Sequence, residues 1–326
     1  MLYGVTMGDS SGIGPEILLK AFLEGKVKHP IVTFGDLEAL AYYNDHLKYG
    51  VAFRRISRPA EYREGALDVM DLGVMRREDV TVGRLNRKSG QAAREYVVAA
   101  TRAALAGEIA AIVTLPMNKQ ATQLSDPEFV GHTELIGGLC GVKDVTIMLA
   151  SDQLIVTHVS THVSLARAIE QVKKERICTV IRLTWEAVAR LREQPRIAVA
   201  GLNPHAGESG LFGEEEIREI RSAVEWAQSQ GLPVEGPFPP DTVFYLAVRQ
   251  HRFDAVVSMY HDQGHIPLKL LDFEGGVNVA LGLPIIRTSV DHGTAFDIAG
   301  RGVASTASFI RALEFAAKLA RPGGEG

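Results

Sequence analysis

Cysteine is nearly absent. The 326 residues include only Cys140 and Cys178, both in apolar surroundings. That pair excludes a disulfide framework and a cysteine-based zinc site, and it fits a reducing compartment. No apolar run approaches the ~20 residues needed to span a bilayer. The opening stretch, Met-Leu-Tyr-Gly-Val-Thr-Met-Gly-Asp, lacks the basic and apolar segments of a signal peptide. A cytoplasmic protein with no membrane contact is therefore expected. Formal net charge is −4, and charges of both signs are interspersed. No basic block or aromatic–basic alternation suggests nucleic acid. Internal repeats, low-complexity tracts and linkers are missing as well. So are the dinucleotide fingerprint G-x-G-x-x-G and the Walker loop.

What is present is a chain 46% hydrophobic, enough for one large or two ordinary domains. Strand-like runs (2–7, 31–34, 66–72, 109–114, 146–149, 154–157, 196–201, 253–258) alternate with helical patterns (17–23, 37–43, 89–106, 166–192, 214–230, 305–319). Such alternation argues α/β with largely parallel strands. The tail Arg321–Gly326 is expected to fray.

Polar groups recur just beyond the strand-like runs, where open α/β sheets bind ligands. The densest is Met259–Lys269, with two histidines, Asp262, Gln263 and Lys269 in eleven residues. It reads either as a polar loop with satisfied histidines or as a site, since histidine binds metals or moves protons and lysine holds anions. His162, His205 and His261 each follow a separate strand-like run. Three neutral imidazoles with open positions suit a catalytic divalent metal, and imidazole favours zinc, cobalt or nickel over magnesium. His158 and His162 are four apart, but the glutamate of H-E-x-x-H is absent. Lys269, Arg287, Asn278, His132 and Thr133 form a set able to hold an anion. The glycine-rich turn Gly8–Glu16, the polar turn Leu115–Lys119 and the helix start Asn86–Gly90 fit either capping and turn roles or ligand contact. The residues alone thus suggest a metal-assisted enzyme acting on a small anion.

Gly8–Glu16, Gly131–Glu134, Thr161–Leu165, Gly201–Glu208, Tyr260–Gly264 and Val277–Gly302 together resemble the 4-hydroxythreonine-4-phosphate dehydrogenase family of vitamin B6 (pyridoxine phosphate) biosynthesis. The resemblance spans essentially the whole chain. It implies an NAD-dependent oxidative decarboxylase and a homodimer with its active site at the subunit interface. It also implies two α/β domains with an isocitrate/isopropylmalate dehydrogenase-like fold and an active-site cleft between them, which accounts for the missing fingerprint. The expected division is 1–130 plus 288–326 for the first, discontinuous domain. Residues 131–287 form the second, with most metal ligands and dimer contacts.

Carried over by motif, His162, His205 and His261 resemble divalent-metal ligands (zinc, magnesium or cobalt), with His261 reaching the partner subunit's site. His132, Thr133, Lys269, Asn278 and Arg287 resemble substrate contacts. His292, Gly293 and Asp297 lie in a run similar to the loop that holds the adenosine of NAD. Lys269 and Asp262 are the candidates for proton transfer, and His158 and His265 for support of metal ligands.

The first loop departs from the family's usual Gly-Asp/Glu-Pro-Ala-Gly, reading Gly-Asp-Ser-Ser-Gly. This and the histidine loops resemble a sister branch that oxidises 4-phospho-D-threonate or 4-phospho-D-erythronate. A more distant branch oxidises aromatic cis-dihydrodiols. A rival of another class, a non-redox metal-dependent phospho-acid binding protein or phosphatase, explains the histidines but has no use for residues 292–300.

Overall fold

The structure is a computed structural model that describes residues 1–273 and 275–321; residues 322–326, most of the tail expected to fray, lie outside the described residues. The chain divides into two compact units, residues 1–143 with 283–320, and residues 144–282.

The first unit begins with β1 (Tyr3–Thr6), α1 (Gly14–Leu23), β2 (Ile31–Gly35), α2 (Leu37–Leu47), β3 (Phe53–Ile56) and β4 (Leu67–Asp71). It continues through α3 (Arg87–Leu105), β5 (Ala111–Thr114), α4 (Lys119–Gln123) and α5 (His132–Cys140). The second unit holds β6 (Thr146–Ala150), β7 (Ile155–His158), α6 (Leu165–Glu170), α7 (Lys174–Val188), β8 (Ile197–Ala200) and α8 (Arg221–Ser229). It ends with β9 (Val234–Phe238), α9 (Val243–Val248), β10 (Ala255–Ser258), α10 (His261–Leu271) and β11 (Val277–Leu281). The chain then returns to the first unit with β12 (Arg287–Val290) and α11 (Ala307–Ala320).

Strands of the first unit run β3-β4-β2-β1-β5-β12, all parallel. Full burial of β1, β2 and β5 fits their apolar, β-branched sequences, because a parallel sheet is covered on both faces. The order turns from β2 to β5 around β1, so the loops after β1 and β5 meet at the switch point where such sheets bind ligands. They do meet: the Asp9 amide donates to Pro116 O at 2.9 Å. Gly8 sits there at φ +75, and a Cβ on it would lie 2.4 Å from that carbonyl. Pro15 in the first turn of α1 and Asn86 capping α3 through Lys88 N and Ser89 N set the helix starts.

Strands of the second unit run β11-β6-β7-β10-β8-β9. Pairings of β6 with β11 and β7 are antiparallel; those of β7, β10, β8 and β9 are parallel. One core, around Ile177, Val180, Ile181, Val199, Val224 and Val257, lies under α7 and α8. A second core, around Leu149, Val156, Val243, Phe253 and Leu268, takes in α9 and α10.

Four local expectations change. The helix expected over 166–192 is two, because Lys173 is extended and Glu219 captures the Lys174 amide at 2.8 Å, starting α7 afresh. The Met259–Lys269 stretch forms most of a helix, not a loop, and that helix carries Pro267 within it. The proline-rich stretch 237–243, expected as a turn, gives its first two residues to a strand, β9. Finally, α5 packs on α3 and belongs with the first unit, as does Arg287 on β12, although both were expected in the second domain.

Candidate active site

In the first unit, β5, β12 and the start of α5 gather a group of basic and polar side chains. Arg287 is 3% exposed. Its Nε and Nη2 donate to Thr114 Oγ1 at 3.1 and 2.7 Å. No carboxylate pairs with it among the described residues, though Glu134 is close enough to favour its charge. Burial pulls its pKa down to about 10. A buried cation without a counter-ion costs several kcal/mol unless an anion arrives. His132 opens α5, and its Nε2 is sealed from solvent without a hydrogen-bond partner. Burial, reinforced by Arg287 and Lys119, lowers its pKa to about 3, so the ring is neutral. A Cβ on Gly131 would lie 2.9 Å from Glu134 Oε2 and 3.8 Å from Lys119 Nζ, so both side chains flank the turn into α5. Thr133, half-buried, follows in the same turn. Lys119 was legible only as a lysine beyond a strand; the fold makes it part of this group.

The loop carrying His292, Gly293 and Asp297 is also in the first unit. All three residues are exposed, and His292 Nδ1 contacts Gly293 O at 3.0 Å. The far end of the loop is fixed from α1. Buried Glu16 accepts from the amides of Gly300 (2.9 Å) and Ala304 (2.8 Å), and Lys20 Nζ donates to Gly302 O and Ala304 O.

In the second unit the histidines fall into two groups. His158, His261 and His265 crowd together, with His261 and His265 stacked at 3.6 Å between centroids and His158 and His265 at 4.6 Å. His265 Nδ1 lies 3.1 Å from His158 Nε2 and 3.0 Å from His261 O. A neutral chain satisfies both contacts: His265 Nδ1–H donates, while His158 accepts at Nε2 and donates from Nδ1 to Ile147 O at 3.4 Å. Burial, then the neighbouring histidines, lowers the His158 pKa to about 3, in keeping with that assignment. The ring of His162 adjoins His261 at 5.6 Å.

His205 stands apart, exposed on the loop after β8, with Nδ1 3.1 Å from Glu208 Oε2. His261 makes the matching contact, Nδ1 to Asp262 Oδ1 at 2.6 Å. Asp262 is thus an orienting group for His261. In both histidines the carboxylate at Nδ1 leaves Nε2 as the remaining donor, the arrangement that orients metal-ligating imidazoles. Among the described residues no group of three His, Cys, Asp or Glu side chains converges on a metal position. The structure therefore brings His162 and His261 together but does not join His205 to them within one chain. Lys269 is half-buried on α10, with Nζ 5.4 Å from the Phe273 ring centre. Asn278 on β11 has a sealed Oδ1 without a partner.

Residues 26–316 match the family described as "Pyridoxal phosphate biosynthetic protein PdxA". The chain belongs to the PdxA family. A D-threonate 4-phosphate dehydrogenase of Salmonella typhimurium is 45% identical over 321 residues, covering 97% of this chain and 98% of that protein. A 4-hydroxythreonine-4-phosphate dehydrogenase of Beijerinckia indica is 45% identical over 321 residues, covering 98% and 95%. A crystal structure of a 4-hydroxythreonine-4-phosphate dehydrogenase from Klebsiella pneumoniae superposes with TM-score 0.90 at 42% identity, covering 98% and 99%. The PdxA-family fold seen here is the mixed α/β architecture related to the isocitrate and isopropylmalate dehydrogenases. These relatives are dehydrogenases, and this PdxA-family chain is an oxidoreductase. No helix among the described residues is long and apolar enough to cross a membrane.

Proposed function

We propose that this chain catalyses the NAD-dependent, divalent-metal-dependent oxidation of a phosphorylated 3-hydroxy acid, followed by decarboxylation. The observation that carries the reading is Arg287, a buried guanidinium with no carboxylate partner among the described residues, next to a sealed, unpartnered His132 Nε2. That pair, with Thr133 and Lys119, suits a phosphate. Held there, the phosphate supplies remote binding energy that fixes the reacting carbon. Asn278 Oδ1 is an acceptor suited to a substrate hydroxyl.

In the reaction, the C3 hydroxyl would lose its proton to a base, for which Lys269 is the candidate, and NAD, when bound, would supply the acceptor for the C3 hydride. The 3-keto acid then loses CO2, and the electron pair left behind is taken up as an enolate. A divalent metal, when bound, supplies positive charge that lowers the hydroxyl pKa and stabilises the enolate. His162, His205 and His261 would hold it; the carboxylates at Nδ1 of His205 and His261 support that assignment. One chain does not assemble the three donors, so the reading includes a homodimer in which His261 serves the other copy. In support, α10, which carries His261, exposes Ile266 (63%) and Leu270 (85%), and Phe273 just beyond it is exposed too (73%). A stripe of this kind calls for a partner surface. His292, Gly293 and Asp297 would contact NAD, on a loop that Glu16 and Lys20 hold from behind.

D-threonate 4-phosphate is the first substrate to test, because several full-length relatives at 42–45% identity carry that name. 4-Hydroxythreonine 4-phosphate, the substrate of vitamin B6 synthesis, is the second. The deciding assay follows NADH absorbance with NAD and a divalent metal, offering the two substrates side by side. Turnover of either, lost with Asp297→Ala through NAD affinity, supports the dehydrogenase. Release of inorganic phosphate without NADH replaces it with a phosphatase.

A further inference from the structure

The loop after β8 has an unusual backbone. His205, Ala206, Gly207, Glu208 and Ser209 all have positive φ (52, 52, 80, 43 and 57), and four of them are not glycine. Side chains rarely adopt this left-handed region, and a run of it persists only where the surroundings impose it. The surroundings centre on one side chain, Glu216, which is 1% exposed. Its Oε1 accepts from the amides of Leu202 and Asn203, each at 2.7 Å, and its Oε2 accepts from Asn203 Nδ2 at 3.0 Å. The loop is wrapped closely around the carboxylate: a Cβ on Gly207 would lie 2.7 Å from Glu216 Oε2. Glu216 itself begins a π-helical turn, Glu216–Ile220, that leads into α8. Such turns recur at functional sites because they re-aim one side chain out of the helical ladder. The base of the loop is tied separately to α10. Gln263 Nε2 donates to Gly201 O at 2.8 Å, and Gln263 Oε1 accepts from Met259 N at 2.7 Å.

The geometry points to Glu216 as the positioning residue that holds the His205 loop in its left-handed form and so aims His205. This rests on the reading of His205 as a metal ligand for its functional meaning, but not for its structural content. Glu216 meets neither substrate nor cofactor; it acts through the loop.

The test uses the full chain with Glu216→Ala and Glu216→Gln. Gln keeps the Oε1 acceptor for the Leu202 and Asn203 amides but turns an NH2 toward Asn203 Nδ2, so it serves as a partial rescue. Two signals are read: amide hydrogen exchange across residues 201–211, and cobalt(II) affinity from its visible spectrum. Glu216→Ala is expected to speed exchange in that segment alone and to weaken cobalt about 10–100-fold, the usual cost of losing a group that supports a metal ligand. Glu216→Gln should fall between the wild type and Glu216→Ala in both. Unchanged exchange in Glu216→Ala, or faster exchange spread evenly over the second unit, overturns the proposal. If Glu216→Ala does not fold, Glu216→Asp, which withdraws the carboxylate by one methylene, must show the same local pattern. If the wild type binds no cobalt, the metal reading fails, and exchange alone decides the role of Glu216.

Discussion

The two units hold their functional groups in opposite ways. In the first, charge is buried without its complement. Arg287 is sealed with no carboxylate partner among the described residues, and the ring beside it is kept neutral by the same burial and the same cations. In the second, the histidines are held by neighbours: the imidazoles of His158 and His265 answer each other, and carboxylates orient His205 and His261 from the side. The first arrangement is incomplete until an anion binds. The second is complete as a scaffold and depends on placement. Losses in the first unit should therefore appear as lost ligand affinity, and losses in the second as lost geometry.

The largest effect should come from Arg287. Charge-assisted hydrogen bonds are worth roughly 1.5–3 kcal/mol each, so Arg287→Ala should lower kcat/KM about 100-fold or more. Arg287→Lys should recover little, because a lysine at a buried forked site does not reproduce two donors in fixed directions. Inhibition of the wild type by inorganic phosphate, weakened in step with kcat/KM in both variants, would tie the loss to the anion. A variant with normal phosphate inhibition would show that Arg287 serves the fold instead.

Next is a contrast within the second unit. His205→Ala should abolish measurable cobalt binding with little change in Tm, since the side chain is exposed and rests only against Glu208 and, edge-on, the ring of Phe212 among the described residues. His158→Ala should do the reverse first, costing about 2–3 kcal/mol of stability as a buried, hydrogen-bonded side chain is removed. Titration calorimetry and thermal melts on the two variants separate ligand from support. Equal effects on both readouts would erase the distinction drawn between the histidines.

How far this division was legible follows from what each residue reports along the chain. Alternating apolar runs revealed the α/β class, and the polar residues after β5, β8 and β10 supplied the candidate site residues. The neutral state of His132 was not legible, because it depends first on burial and then on Arg287, some 150 residues away in sequence and adjacent only in the fold. Glu216 left no signal either: it is one of three consecutive glutamates in what reads as an amphipathic helix, and its burial comes from the loop folded over it. Met259–Lys269 was the opposite case. Two histidines, a glycine and a proline read as a loop, yet the segment is helical because Gly264 lets α10 press against β7. Gly264 has no Cβ to meet His158 Nε2, which would be 2.6 Å away, or Ser258 Oγ at 2.8 Å. Gly264→Ala should therefore destabilise by about 1–3 kcal/mol through overpacking against a rigid ring. Chemical denaturation checks it, and in a His158→Ala background Gly264→Ala should cost little more than His158→Ala alone if the ring is the obstacle.

The smallest effect is a slope in pH. The ordinary histidine pKa is 6.5, and that of His132 in the folded chain is about 3. Between those values the unfolded chain takes up a proton that the folded chain refuses. Stability from this group is present above pH 6.5 and is lost as pH falls through the window. The groups facing His132 are the cations Arg287 and Lys119, and Glu134 sits close to Arg287 without removing that bias. His132→Asn should therefore flatten the fall of Tm between about pH 6.5 and pH 4. Bound phosphate adds the negative charge this neighbourhood lacks, so it should raise the His132 pKa and shallow the same slope in the wild type. A His132 ring signal in NMR that titrates near the ordinary value without phosphate would show that the site is open and wet. It would then be Arg287 alone, rather than a sealed pair, that selects the anion.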